Sequence, residues 1–97
     1  MNIIIDKDAA DYIRKHSKDN SVIIFAKFQG GGWCAVQSPA VQLGKLERAD
    51  NYDLYNIDDL SVYVRKDTRT IKDELRIFMK KFLWAKDLAV DGMNIYA

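Results

Sequence analysis

The chain of 97 residues has one cysteine, one histidine, one proline and five glycines, and each scarcity excludes something. A single thiol cannot close an internal disulfide, so nothing in the fold requires an oxidising compartment. No Cys-x-x-Cys, nucleophile elbow or glycine-rich phosphate loop is present. The longest apolar runs, such as Val22-Ile23-Ile24-Phe25-Ala26, fall far short of the roughly 20 residues that a bilayer-spanning helix needs. Charge of one sign is not clustered: 15 Lys+Arg against 14 Asp+Glu leave a net charge of +1. That balance argues against a nucleic-acid groove or a polybasic membrane patch, both of which need clustered positive charge. The opening Met1-Asn2-Ile3-Ile4-Ile5-Asp6 lacks the basic n-region and longer apolar segment of a signal peptide. The expectation is a cytoplasmic protein, one domain over residues 1–97, with neither nucleic acid nor membrane as a partner.

What is present is mostly β-forming. Ile3-Ile4-Ile5 is a β-branched run that ends at Asp6, a residue suited to an N-cap, with Asp8 in the first turn of the helix that follows. Ala9, Ala10, Ile13 and Tyr12 form a narrow apolar stripe on that helix, and Lys18-Asp19-Asn20-Ser21 supplies turn residues. From Val22 to Phe28 both alternating faces are apolar, which predicts a central strand buried on both sides. Gly30-Gly31-Gly32 stops it. Pro39 opens another alternating stretch that closes at Gly44. Tyr52–Ile57 and Leu60–Arg65 read as two strands joined by a tight turn at Asp58-Asp59. Ile71, Leu75, Phe78 and Phe82 are spaced by four, three and four, with Lys72, Asp73, Arg76 and Lys80 between them, which predicts a second amphipathic helix. Phe82-Leu83-Trp84 either continues that helix or starts an edge strand, and Leu88-Ala89-Val90-Asp91 reads as extended up to Gly92. The expected class is α+β, with more strand than helix.

Chemistry concentrates at Cys34. The string Gly30-Gly31-Gly32-Trp33-Cys34 delivers a thiol from a glycine-rich loop directly after a buried strand. On one reading Cys34 is a small buried hydrophobe and the glycines make a bulge or turn. On the other, successive backbone N–H groups of the loop form a nest that stabilises a thiolate, the form that binds metal or attacks an electrophile.

The opening Ile3-Ile4-Ile5-Asp6-Lys7-Asp8-Ala9-Ala10, the glycine loop ending in Trp33-Cys34 and the later Leu60-Ser61-Val62-Tyr63-Val64 resemble the HesB-like, or IscA-like, A-type iron-sulfur carriers over essentially the whole chain. Within that group the sequence is most similar to a short branch in which the glycine loop leads into a strand like Pro39-Ala40-Val41-Gln42-Leu43-Gly44. The resemblance implies a β-rich fold of two packed sheets, mixed or antiparallel, with two helices. It also implies association into dimers or higher oligomers, and binding of iron or an iron-sulfur cluster through cysteine, with client or assembly proteins as further partners. Cys34 matches the first cysteine of the family and is the one metal ligand carried over, with Gly30, Gly31, Gly32 and Trp33 as its cluster-binding surroundings. Two departures stand out. The C-terminal Cys-Gly-Cys of typical carriers is absent from Asp91-Gly92-Met93-Asn94-Ile95-Tyr96-Ala97. Relatives of the short branch carry a second Cys, or a selenocysteine, beside the loop cysteine, where this chain has Trp33. One thiolate per chain falls short of the four ligands a cluster usually takes from protein, so two Cys34 residues facing each other in a dimer would need small thiols or a client to complete the set.

The other candidates have structural explanations. His16 falls at the end of the first helix, where imidazole suits the dipole. Asp6/Asp8 and Asp58/Asp59 are placed for a helix start and a turn. Tyr52, Tyr55, Tyr63, Trp84 and Tyr96 offer aromatic surface for an oligomer interface, and sheet packing accounts for them equally well. The sequence therefore leads to a non-enzymatic carrier-type protein that holds iron or a labile cluster through Cys34. The alternatives are a thiol redox protein using Cys34 and an interaction module that has lost the metal chemistry.

Overall fold

A computed structural model describes residues 1–29, 36–48 and 50–94. The order of elements is β1 (Asn2–Ile5), α1 (Lys7–His16), β2 (Ser21–Gln29), β3 (Val36–Leu43), β4 (Tyr52–Ile57), β5 (Leu60–Arg65), β6 (Glu74–Phe82) and β7 (Ala85–Asp91). They form a three-stranded sheet in the order β1-β6-β7 and a four-stranded sheet in the order β3-β2-β5-β4. Both sheets are mixed. β1 runs parallel to β6 and β2 parallel to β5, while the β2–β3, β4–β5 and β6–β7 pairs are antiparallel.

One core joins the two sheets and the helix. Ala9 and Ile13 of α1, Val22 and Ile24 of β2, Val62 and Val64 of β5, Leu75 and Ile77 of β6, and Leu88 and Val90 of β7 belong to a single buried cluster. In each strand these residues are two apart, the period that puts side chains on one face of a sheet. β2 is an interior strand, and over Val22–Ile24 it is buried on both faces, since Ile23 is also buried. At its start, the buried Ser17 Oγ donates to the Ser21 carbonyl and accepts from the Ser21 N–H, both at 3.1 Å, and so ties the end of α1 to β2.

The expectation of an α+β fold with two helices is corrected by β6. Among the described residues α1 is the one helix, and the segment read as the second is the central strand of the three-stranded sheet. The helical spacing of Ile71, Leu75, Phe78 and Phe82 competes with the period-two series Leu75, Ile77, Met79, and the second pattern prevails. Leu75 and Ile77 are fully buried, whereas Ile71 is 63% exposed. Asp73 takes a left-handed φ of 55° immediately before the strand, which breaks any right-handed helix at that point. Pairing with β1 on one side and β7 on the other satisfies the β6 backbone and overrides local propensity.

Phe82 closes β6, and Leu83-Trp84 form a two-residue turn between the register partners Phe82 and Ala85. Beyond β7, Gly92 has a φ of +99°, and a Cβ at this position would overlap the Glu74 carbonyl oxygen. Its own carbonyl accepts the Ile71 N–H at 3.0 Å, so the chain end is fastened at a place where only glycine fits.

Candidate functional site

Gly30, Gly31, Gly32, Trp33 and Cys34 lie outside the described residues. The frame that holds them is described. β2 and β3 pair in continuous antiparallel register from Val22↔Leu43 to Gln29↔Val36, and in sequence residues 30–35 join the last of these pairs. The only thiol of the chain therefore falls in the connection between the interior strand of the larger sheet and its antiparallel neighbour. Among the described residues no group of three or more His, Cys, Asp or Glu side chains could hold a metal ion.

The carboxylates singled out by sequence are engaged in structural roles. Asp6 stands at the N-cap of α1 with extended backbone but makes no capping bond through its side chain. Both its oxygens instead accept from Arg76 on β6, at 3.0 and 2.9 Å. This pair holds the Arg76 guanidinium above its ordinary pKa. Asp59 in the β4–β5 turn receives the Arg14 guanidinium of α1, with the shortest bond at 2.7 Å. The hydrogen bonds from Arg14 lower the Asp59 pKa and raise that of Arg14. His16 is exposed in the last turn of α1, its ring 4.3 Å from that of Tyr12. Of the aromatics, Tyr63 is buried in the sheet, Tyr55 packs on the core, and Trp84 is 90% exposed. Tyr96 lies outside the described residues.

Two features were not found by sequence reasoning. A cleft of about 360 Å³ opens between α1 and the β6–β7 hairpin, lined from the helix by Asp8, Asp11, Tyr12, Lys15 and His16 and from the hairpin by Met79, Lys81 and Lys86. The apex of the same hairpin presents Leu83 and Trp84 to solvent. Both depend on β6 and β7 being paired. The available signal was the apolar pair Leu83-Trp84 between Lys80-Lys81 and Lys86, which a helical reading of the segment hides.

The chain belongs to the CC/Se motif containing family, whose model matches residues 1–93 and so includes Cys34. With one cysteine in the whole chain, preceded by Trp33, this member has no Cys-Cys pair. No curated protein and no solved structure matches it. Among the described residues no helix is long and apolar enough to cross a membrane.

Proposed function

We propose that the protein is a non-enzymatic, carrier-type protein that takes iron or a labile iron-sulfur cluster as cargo through Cys34. The observation that carries the reading is that the sole thiol falls within the matched span of a family described by its CC/Se motif. The resemblance of Gly30–Cys34 and the flanking strands to HesB-like carriers supports it. One chain offers one thiolate, so the cargo would sit at a subunit interface between two copies of Cys34, with small thiols or a cytoplasmic client completing its ligands. Bound this way the cargo exchanges easily, which suits transfer rather than storage. The expected result is ferrous iron bound to the wild-type chain under anaerobic conditions and lost in Cys34→Ala with unchanged circular dichroism. Equal iron stoichiometry in the variant removes the proposal.

A second reading, a thiol redox protein, rests on the same sole thiol within the span that the CC/Se motif family matches. It requires Cys34 to react as a thiolate at neutral pH. An alkylation rate that rises with pH only near the ordinary thiol pKa of about 8.5 counts against it.

A further inference from the structure

The apex of the β6–β7 hairpin has a composition that neither packing nor turn chemistry explains. Leu83 is 76% exposed and Trp84 90%, and Leu83 occupies left-handed backbone at φ 56°, which Gly, Asn or Asp adopts more readily. Directly behind the apex stand three exposed lysines, Lys80 and Lys81 on β6 and Lys86 on β7. Lys81 and Lys86 are register partners, so two like charges face each other across the strands, which weakens a hairpin in isolation. Lys80 is register partner to Asp87. None of the three forms an ion pair among the described residues, and Lys15 of α1 lines the same cleft as Lys81 and Lys86, with Asp8 and Asp11 at its helix side.

We infer that the β6–β7 hairpin docks on an anionic lipid surface, with Leu83 and Trp84 entering the interfacial region and the lysines meeting the lipid phosphates. The order of groups with depth favours a bilayer. At about 3.3 Å per strand residue, Lys81 and Lys86 lie about 7 Å behind the apex and Lys80 about 10 Å. Apolar groups of surface-bound segments enter the headgroup boundary by about 5–10 Å, so a tip buried to that depth brings the ammonium groups level with the phosphates. Consecutive strand residues face opposite ways, so Lys80 flanks one face of the hairpin and Lys81 with Lys86 the other. A planar anionic surface penetrated by the hairpin meets both faces, and Trp prefers the interfacial depth. Lys80 and Lys81 are adjacent in the sequence and strand pairing sets Lys86 beside Lys81, a local cluster that the net charge of +1 over the whole chain hides. The contact is peripheral and independent of the reading of Cys34.

The test uses the full chain and vesicles of phosphatidylcholine with phosphatidylglycerol, beside phosphatidylcholine alone. Co-sedimentation with the anionic vesicles only, weakened by salt, is the expected result. In a Trp33→Phe background the emission of Trp84 shifts to the blue when those vesicles are added. Each lysine is worth about fivefold in partitioning, or about 1 kcal/mol, so Lys81→Gln with Lys86→Gln lowers binding about 25-fold while thermal stability holds or rises. Trp84→Ser lowers binding about tenfold or more. Equal binding to both vesicle types, no binding to either, or full retention in both variants overturns the inference. So does a blue shift of Trp84 that follows protein concentration without vesicles, which would assign the apex to a protein interface.

Discussion

Asp58 and Leu83 occupy the same position in two hairpins. Each is the first residue of a two-residue turn, between Ile57↔Leu60 and Phe82↔Ala85 respectively, and each has a left-handed φ, of 55° and 56°. Asp tolerates that conformation; Leu pays a steric penalty for it while staying 76% exposed. Leu83→Asn is therefore expected to stabilise the protein and Asp58→Leu to destabilise it, each by up to about 1 kcal/mol. Thermal melts check this, with shifts of about 4–8 °C per kcal/mol in a domain of this size. A fall in melting temperature for Leu83→Asn would show that Leu83 has a packing role.

Gly92→Ala is expected to cost about 2 kcal/mol or more. The substitution places a Cβ against the Glu74 carbonyl and forces a non-glycine residue into left-handed backbone. Denaturant unfolding measures the loss, and an unchanged midpoint would contradict the described path of the chain after β7.

The local signals were legible where strand and turn chemistry agreed. Val22–Phe28 read as a strand buried on both faces, Tyr52–Arg65 as a hairpin turning at Asp58-Asp59, and Ile3–Ile5 as a strand leading into a helix; β2, β4–β5 and β1–α1 are these elements, with β2 buried on both faces at Val22–Ile24 and Lys27 exposed. The segment 71–82 was not legible, because Leu75 and Phe78 serve a helical spacing while Leu75 and Ile77 serve a strand. Pairing with β1, some 70 residues away in sequence, decides between them, and no local window contains that partner. At the candidate site, Cys34 and its glycines were evident from composition, but Gly30–Cys34 lie outside the described residues. Lys81 and Lys86 met only through a pairing that the helical reading excluded.

Two substitutions separate strand from helix at β6. A helix would place Ile71 with Leu75 on its apolar face and leave Ile77 off it; in the strand Ile77 is fully buried and Ile71 exposed. Ile77→Ala is expected to cost about 2–5 kcal/mol, and Ile71→Ala less than about 0.5 kcal/mol. The reverse ranking in chemical denaturation would restore the helix.

The Arg14–Asp59 pair ties α1 to the β4–β5 turn and is sensitive to acid. The Asp59 pKa is lowered in the folded chain, so its contribution is present above the ordinary carboxylate value of 3.8 and disappears as pH falls through the lowered folded value. The melting temperature of Asp59→Asn is therefore expected to lie below that of the wild type at neutral pH and to converge with it in strong acid. The gap should narrow with added salt, since both side chains are exposed. A gap independent of pH would show that the carboxylate charge is not what holds the turn.

The most direct test of the account is the visible spectrum of the purified protein after anaerobic incubation with ferric and ferrous iron, sulfide and glutathione and removal of excess reagent, beside a Cys34→Ala control. Sulfur-to-iron charge-transfer bands in the wild type that are missing from the variant are predicted. A colourless wild-type protein that remains folded, or bands of equal strength in the variant, would contradict the claim that Cys34 carries the cargo.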